Sequence, residues 1–377
     1  MLGAKINISP VESASGWMLN SGIQSEQGGV HSWFDLNSKE YAYIYSEITG
    51  YAITTFLFLH KIYKQDIYLN RSISAAEWLI ANALSPCGGV KTRLFDDDNL
   101  ADKNYSFSGE NIFSFDTGMA LYGMVCLYKT TAELKYLDAA RKMANFLVDR
   151  MQNRDGSFAP VYSAGDNKIV QSFDKWSNQP GAFLTKACMG LIELFRLTKE
   201  DKFKKSALAQ AEFALNMQDS SGRFITNQAD NTTHLHPHSY SGEGFLYLGV
   251  LLKNDKYIDA ARKSVEWSYE HLSEKGINEV FNSKTQSFND FQRTDILAQV
   301  LRLGLIFSLS KNKIDSLREH LLRFQYRGDN LKQFGGFLYS KKDQHINSWC
   351  TMFSLQALAI YEDNRLIGKN KELELLI

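Results

Sequence analysis

The chain has 377 residues, of which 44% are hydrophobic and 22% charged, and this composition predicts a globular protein with a sizeable core. Lys plus Arg and Asp plus Glu each number 42, so no net field attracts nucleic acid or an anionic membrane surface. Four cysteines without CxxC spacing favour buried free thiols over disulfides or a zinc site. Neither a signal-peptide layout nor a transmembrane-length apolar run is present, so we expect a cytoplasmic protein that does not insert into membranes.

The first predicted element is a helix over residues 10–20, which precedes a glycine turn. Similar turns recur along the chain at intervals of between 54 and 68 residues, which indicates an internal repeat. The six turns are Gly28-Gly29-Val30, Gly88-Gly89-Val90, Gly156-Ser157-Phe158, Gly222-Arg223-Phe224, Gly276-Ile277-Asn278 and Gly335-Gly336-Phe337.

Two kinds of helix alternate with these turns. Amphipathic helices lie before most turns, and the clearest cover residues 136–152 and 257–272, where apolar residues recur at intervals of three and four. Helices that are apolar nearly all round follow the turns, as in EITGYAITTFLFLHKIY and FDTGMALYGMVCLYKTT. A helix that is apolar on every side is buried on every side, so we interpret the second kind as inner helices and the first as outer ones.

Six inner and six outer helices predict an all-α fold, the (α/α)6 toroid, in which helical hairpins form two concentric rings. Residues 10–20 supply the sixth outer helix, so pairing of the N- and C-terminal helices closes the ring. We expect a single domain over residues 1–377. The alternative, an open helical solenoid, would need polar capping helices at each end.

The alternating helix pairs with glycine turns between them resemble the six-hairpin toroid superfamily of carbohydrate-active enzymes. That superfamily contains glycoside hydrolases, polysaccharide lyases, sugar 2-epimerases and the helical domain of uronyl C5-epimerases. The segments GGF (335–337) and SWCTMFSLQAL (348–358) also resemble repeats of prenyltransferase β-subunits and triterpene cyclases. The resemblance implies that ligands bind in a funnel where the inner helices begin.

Polar and aromatic residues stand at or just before the predicted inner-helix starts, after long segments that we interpret as irregular loops. Long loops inside a compact domain are usually functional. Aromatic faces cover the apolar side of a sugar, while carboxylates, amides and guanidinium groups bond to its hydroxyls, so these residues predict a carbohydrate site. The substrate-binding candidates are Tyr45, Trp33, Trp176, Gln179, His236, Arg293, Asn347 and Trp349.

Acidic residues at equivalent positions of different repeats are candidates for catalysis. Helix N-termini favour carboxylates, so capping alone explains each acid taken singly. Paired carboxylates in different environments, however, supply the acid and base that glycosidic bond hydrolysis needs. The candidates are Glu47, Asp116, Glu243 and Asp295, and the same positive helix ends could instead hold a uronate.

Three histidines, His234, His236 and His238, alternate in the segment HLHPHSY, and an extended strand would place them on one face. Pro237 argues for a turn instead, and we predict no metal there. Tyr240 follows the cluster. The resemblance implies that Tyr240 and His238 are candidates for removing a proton next to a carboxylate, as uronate lyases and C5-epimerases do.

The leading prediction is a glycoside hydrolase that acts on an oligo- or polysaccharide, expected to be acidic and linked to surface-polysaccharide metabolism or to imported oligosaccharides. Three alternatives stay open: a uronate lyase or C5-epimerase, a prenyl-transfer or cyclisation enzyme, and a non-catalytic glycan-binding protein. The sequence carries no phosphate loop, GxSxG elbow or zinc spacing. We therefore predict no cofactor, no metal and no nucleic-acid partner.

Overall fold

The computed structural model describes residues 8–94, 111–368 and 374–377, and twelve α-helices lie within these ranges. The outer helices are α1 (Pro10–Asn20), α3 (Asp66–Trp78), α5 (Leu134–Phe146), α7 (Asp201–Leu215), α9 (Asp255–Glu270) and α11 (Lys311–Leu322). The inner helices are α2 (Ser46–Tyr63), α4 (Ser114–Thr131), α6 (Cys188–Thr198), α8 (Leu235–Leu252), α10 (Thr294–Ile306) and α12 (Ser348–Glu362).

The inner helices form a closed ring. They pack in the order α2, α4, α6, α8, α10 and α12, and α12 returns to α2. Each outer helix packs mainly on one inner helix, and α1 from the start of the chain packs on α12 near its end. The predicted toroid and its closure by the terminal helices are therefore confirmed. The extent of the domain over residues 1–377 stays a prediction.

Burial separates the two rings as the apolar patterns predict. The first fourteen residues of α2 are all buried, and so are the first fourteen of α4. By contrast α9 buries Tyr257, Ala260, Ala261 and Val265, which share one face, and exposes charged residues between them. No helix in the described part of the chain combines the length and the apolar character needed to cross a bilayer.

Short antiparallel strands connect the repeats at the amino-terminal ends of the inner helices, where we expected irregular loops. These segments are rich in aromatic and β-branched residues, which favour strands. The strands are β1 (Trp33–Asp35), β2 (Ile44–Tyr45), β3 (Arg93–Leu94), β4 (Asn111–Phe113), β5 (Val161–Ser163), β6 (Lys168–Val170), β7 (Thr233–His234), β8 (Val280–Asn282), β9 (Ser287–Phe288), β10 (Phe337–Leu338) and β11 (His345–Asn347). They pair as β1-β11-β10, β2-β3, β4-β5-β6 and β7-β8-β9. Because Trp33 of β1 lies opposite Asn347 of β11, a sheet also joins the two ends of the ring.

The same hydrogen bond ties four glycine turns to the inner helix that follows. The backbone N–H two residues after the first glycine of the turn donates to the side chain of the fourth helical residue. The pairs are Val30 to Thr49 Oγ1 at 3.0 Å, Val90 to Thr117 Oγ1 at 3.2 Å, Phe224 to His238 Nδ1 at 3.2 Å and Phe337 to Thr351 Oγ1 at 2.9 Å. This bond fixes the rotation of each helix about its axis, and with it the direction of the first-turn side chains.

Helix α8 begins at Leu235, so Pro237 lies in a helix and the turn predicted there is wrong. Pro237 is accommodated because a first-turn residue has no intrahelical partner for an N–H group. Only His234 lies in a strand, β7. Residues two apart on a helix point to different sides, so His236 and His238 do not share the face that an extended strand would have given them.

Gly335 is a position where ring closure requires glycine. Its φ is +98°, and a Cβ there would lie 2.1 Å from the carbonyl oxygen of Ser13 in α1. We expect Gly335→Ala to lower the free energy of unfolding by about 2 kcal/mol or more, because the left-handed backbone and the clash both oppose a side chain. Urea unfolding followed by circular dichroism measures the loss.

Gly16→Ala is the matched control, because a Cβ at Gly16 of α1 would meet nothing within 4 Å. We expect this variant to leave stability unchanged or to raise it by about 0.5–1 kcal/mol, since alanine is the better helix former. Equal stability of the Gly335 and Gly16 variants would contradict the closure described above.

Candidate active site

A cavity of about 390 Å³ opens where the amino-terminal ends of the inner helices meet. Its lining combines aromatic rings with carboxylates and basic groups. The described lining residues are Tyr43, Tyr45, Glu47, Ile48, Arg93, Phe113, Phe115, Asp116, Pro160, Asp174, Lys175, Trp176, Ser177, Phe183, Leu184, His234, His236, Tyr240, Glu279, Arg293, Tyr339 and Trp349. Both the position and the composition agree with the funnel predicted from the sequence.

Close packing of α2 against α4 brings two acidic residues together in the cavity. A Cβ on Gly50 of α2 would lie 2.9 Å from the backbone nitrogen of Ala120, and one on Gly123 of α4 would lie 3.0 Å from the carbonyl oxygen of Gly50. The absence of side chains at these positions lets the two backbones approach closely. The first turns of the helices, which carry Glu47 and Asp116, therefore lie side by side.

Glu47 and Asp116 form a buried pair of carboxyl groups, close enough for each to shift the pKa of the other. Burial raises the pKa of Asp116, and the negative charge of Glu47 raises it further, well above its ordinary value. Burial also raises the pKa of Glu47, but a hydrogen bond from Tyr45 and the charges of Lys186 and Arg93 oppose this rise. We conclude that Asp116 holds the shared proton and that Glu47 is the ionised partner.

Contacts between repeats hold this pair in place. The Thr92 hydroxyl donates to Asp116 Oδ2 at 2.5 Å, and the Tyr240 hydroxyl approaches Glu47 Oε1 at 3.5 Å. Arg93, on β3 opposite Tyr45 of β2, lowers the pKa of both acids. The described bonds of the two acids thus join them to side chains rather than to the backbone N–H groups of their own helices, so helix capping does not account for them.

His236 lies in the cavity wall as a neutral imidazole. Burial lowers the pKa of His236 to about 4. Its Nδ1 lies 2.8 Å from Gln299 Oε1, so Nδ1 carries the proton and Nε2 keeps a free lone pair. The His236 ring centroid lies 4.3 Å from that of Tyr240, which places the imidazole near the carboxyl pair.

Of the fourteen catalytic and substrate-binding candidates, eight line the cavity: Glu47, Asp116, Tyr240, Tyr45, Trp176, His236, Arg293 and Trp349. The remaining six candidates, Glu243, His238, Asp295, Gln179, Asn347 and Trp33, are not among the described lining residues.

Glu243 lies below the cavity in a fully buried ion cluster, which corrects its predicted place in the funnel. As the ninth residue of α8, it is more than two turns from the helix start. Lys186 Nζ lies 2.7 Å from Glu243 Oε2, and Arg302 donates to the other carboxylate oxygen. Lys186 also donates to the backbone oxygen of Ile377 at 3.0 Å. Burial disfavours an ionised carboxylate, and the two paired cations offset that cost for Glu243 and lower its pKa.

His238 and Asp295 were predicted to be catalytic, but neither is among the described residues that line the cavity. Both ring nitrogens of His238 are occupied, because Nδ1 accepts from the turn described above and Nε2 lies 3.0 Å from the carbonyl oxygen of Ser264. Asp295 is fully buried behind the cavity wall. It accepts hydrogen bonds from Arg293 Nε at 3.1 Å and from Trp349 Nε1 at 3.0 Å, so it positions two lining residues.

Gln179, Asn347 and Trp33 have structural contacts. Gln179 is fully buried and bonds to adjacent loop residues. The Asn347 side chain caps α12 by accepting from the Cys350 N–H at 3.0 Å. Trp33 stacks on His345 with ring centroids 4.8 Å apart. Their polarity or aromaticity at a helix start therefore serves packing and capping.

Several lining residues escaped the sequence analysis, and Arg93 and Tyr43 are the clearest. Neither stands at the start of an inner helix: Arg93 lies on β3, and Tyr43 directly precedes β2. Pairing of β2 with β3 brings both to the cavity, and the Arg93 guanidinium carbon lies 5.0 Å from the Tyr43 ring centroid. The alternation in VKTRL after the second glycine turn was the available signal for this strand.

The closed double ring and its cavity define a six-hairpin, glycosidase-like toroid, as predicted. Three solved structures show how general this fold is. Cellobiose 2-epimerase from Bacillus thermoamylovorans B4167 is 10% identical with a TM-score of 0.71, covering 92% of this chain and 95% of that one. Unsaturated glucuronyl hydrolase from Bacillus sp. GL1 is 12% identical with a TM-score of 0.67, covering 94% and 96%. A glycoside hydrolase family 76 mannosidase from Bacteroides thetaiotaomicron VPI-5482 is 14% identical with a TM-score of 0.61, covering 94% and 100%.

At sequence level, the model of glycosyl hydrolase family 76 matches residues 13–167, a span that includes Glu47 and Asp116. This match confirms the prediction of a carbohydrate-active enzyme of the glycoside hydrolase class. No curated protein matches the chain. None of these similarities supports an acidic substrate.

Replacing Asp116 should change how stability depends on pH. Because the pKa of Asp116 is raised in the folded protein, the folded state keeps a proton that the unfolded chain releases above about pH 4, so the free energy of unfolding falls as pH rises. The slope reaches at most about 1.4 kcal/mol per pH unit. An amide does not ionise, so Asp116→Asn should flatten this slope and be more stable than the wild type at about pH 7.

Urea unfolding at a series of pH values measures both effects. Asp138→Asn, at an exposed position of α5, is the control and should keep the wild-type slope. If Asp116→Asn instead lost stability at every pH, Asp116 would act as a helix cap and not as a protonated acid.

Proposed function

We propose that the protein hydrolyses a glycosidic bond in a mannose-containing oligo- or polysaccharide. The observation that carries this proposal is the buried Glu47–Asp116 pair at the foot of an aromatic cavity, within the span matched by the family 76 model. We choose a mannoside because the family 76 structure that this chain resembles is a mannosidase.

In this proposal Asp116 protonates the oxygen of the leaving group, because it holds the proton of the pair. Carboxyl groups lie about 5–5.5 Å apart in retaining glycosidases and about 6.5–9.5 Å apart in inverting ones. The two carboxyl groups interact directly, which favours the shorter spacing of retaining enzymes over the longer spacing of inverting ones. Glu47 therefore attacks the anomeric carbon to form a glycosyl ester, and Asp116 then deprotonates the water that hydrolyses it.

The charge of the cavity suits a neutral sugar. The described lining holds four carboxyl groups, Glu47, Asp116, Asp174 and Glu279, and three cations, Arg93, Lys175 and Arg293. With Asp116 protonated these charges balance. Trp176 and Trp349 offer ring faces to the sugar. An acidic substrate and a role in surface-polysaccharide metabolism stay predictions.

Epimerisation or isomerisation of a reducing sugar is a second candidate, and His236 favours it. A neutral imidazole with a free Nε2 in the cavity wall is able to take a proton from a carbon next to a carbonyl group. The uronate lyase and C5-epimerase predictions belong here, with His236 in the place proposed for His238. The charged lining disfavours a prenyl substrate, which needs an apolar funnel.

The cytoplasmic location is likewise a proposal. It rests on the four cysteines, Cys87, Cys126, Cys188 and Cys350, none of which is disulfide-bonded. Cell fractionation with an antibody against the chain tests it, and recovery from the extracellular fraction would reject it.

Removing either carboxyl group should abolish turnover without unfolding the protein. We expect Glu47→Gln and Asp116→Asn each to lower kcat by about 10²–10⁴-fold on mannooligosaccharides, because each removes an acid or a nucleophile from the reaction. Appearance of new reducing ends measures the rate. Glu193→Gln is the control, since this acid is also buried but lines a separate cavity and should keep wild-type kcat.

The products distinguish the two candidates. Proton NMR of the first-formed anomer should show retained configuration, whereas an inverted product would exclude Glu47 as a nucleophile. Conversion of a sugar without new reducing ends, lost in His236→Ala but not in Asp116→Asn, would replace hydrolysis by epimerisation or isomerisation.

A further inference from the structure

A second cavity, of about 630 Å³, adjoins the candidate active site. Short backbone segments form the wall between the two cavities, and in each segment neighbouring residues line opposite sides. The pairs, with the member lining the second cavity first, are Asn278 and Glu279, Gln292 and Arg293, and Ser340 and Tyr339. Only a single layer of backbone therefore separates a ligand in the second cavity from the cavity that holds the carboxyl pair.

Positive charge is concentrated in the second cavity. Its described lining contains four cations, Lys275, Arg323, Lys341 and Lys342, and one carboxylate, Asp290. The chain as a whole has no net charge, so this excess does not follow from a generally basic surface. Like charges gathered in one concave site repel each other, and a bound anion relieves that repulsion.

His320 is a titratable group in the wall of the second cavity. The side chain is only 5% exposed, and Nε2 lies 3.0 Å from Gln292 Oε1. The other ring nitrogen, Nδ1, is buried without a hydrogen-bond partner among the described residues. Buried polar atoms are nearly always paired, and this one is closed to solvent, so the imidazole responds to the charge in the cavity without touching a ligand.

Aromatic rings hold the two adjacent lysines at the cavity. Lys341 Nζ lies 5.5 Å from the Phe324 ring centroid, and Lys342 Nζ lies 5.7 Å from that of Phe291. Cation–π contacts restrain side chains that would otherwise be mobile. Phe291 and Phe324 also line the cavity, so ring faces stand beside the cations, as in a site that recognises an anionic sugar.

We propose that the second cavity binds an oxyanion, a carboxylate or phosphate group, carried by a carbohydrate chain. The lysines and Arg323 donate to the oxyanion, and the rings contact the sugar. The carbohydrate part of this proposal rests on the proposed function, whereas the oxyanion part rests on the cavity alone.

Proton uptake should accompany binding. Burial and the charges of Lys341 and Arg323 lower the pKa of His320 in the free protein. The other charged groups of the cavity are Lys275, Lys342 and Asp290. An oxyanion in the cavity adds negative charge beside His320 and favours the imidazolium form, so the pKa of His320 should rise on binding.

The test compares two double variants of the full chain. Lys341→Gln with Lys342→Gln removes two cations from the cavity. The matched control is Lys204→Gln with Lys205→Gln in α7, because Lys204 Nζ also lies over a ring, 5.4 Å from the Phe195 centroid. Calorimetry at low salt measures binding of mannose 6-phosphate, trigalacturonate, inorganic phosphate and mannotriose. Imidazole NMR follows the pKa of His320.

We expect an anionic sugar to bind, to raise the pKa of His320 and to bind about tenfold or more weakly to the Lys341/Lys342 variant, because charge-assisted hydrogen bonds are lost. The control should agree with the wild type within about twofold. Binding of mannose 6-phosphate only, or of trigalacturonate only, supports the proposal and identifies the oxyanion.

Four outcomes overturn the proposal. Inorganic phosphate that binds as tightly as either sugar would show a site for free phosphate instead. Neutral mannotriose that loses as much affinity as the anionic sugars in the Lys341/Lys342 variant would remove the role of charge. Anionic sugars that leave His320 unchanged, or that lose affinity equally in both double variants, would place binding elsewhere. Calorimetry measures binding and does not depend on turnover. The Glu47→Gln variant should still bind the anionic sugar in the second cavity. A failure of the proposed hydrolysis is therefore distinguishable from a failure of this proposal.

Discussion

The candidate active site depends on one repeated hydrogen bond, from the backbone after a glycine turn to the fourth residue of the next inner helix. The bond sets the rotation of the helix, and the side chains just before that residue then point toward the axis of the ring. In α2 the bonded residue is Thr49 and the axial acid is Glu47; in α4 they are Thr117 and Asp116. His238 occupies the same position in α8, which explains why it is buried in packing and absent from the cavity lining.

Two groups of buried charged residues lie along the axis of the ring, and each stabilises the charges of the other. The upper group is the Glu47–Asp116 pair, and the lower group is the buried cluster in which Lys186 and Arg302 contact Glu243. Lys186 Nζ lies 4.4 Å from the centroid of the Tyr240 ring, whose hydroxyl approaches Glu47. Burial lowers the pKa of Lys186 to about 8, and its positive charge lowers the pKa of Glu47. The lower group thereby favours one ionised carboxylate in the upper group, which is the state that acid and nucleophile chemistry requires.

The sequence predicts the ring well because each inner and outer helix is recognisable from its local pattern of apolar residues. Apolar character around the whole of α2, against one apolar face on α9, is visible in any short window. The site is predicted only in part, since it also depends on where a helix begins and on which strands pair. Glu47 stands two residues into its helix and was found, whereas Glu243 was misplaced because Pro237 was interpreted as part of a turn before α8. Arg93 was missed because the pairing of β2 with β3 is a contact between repeats, which no local pattern reveals.

The wall between the two cavities is a rigid part of the molecule. The Glu279 N–H donates to the carbonyl oxygen of Phe291 at 2.8 Å, and the Thr294 N–H donates to that of Tyr339 at 2.9 Å, so backbone bonds join the segments that form it. Asp295, which is fully buried, holds Arg293 against the same wall. A wall fixed in this way keeps the distance between the two cavities constant. Discrimination among chains would then depend on how far a charged group lies from the bond to be cleaved, and it would need no conformational change.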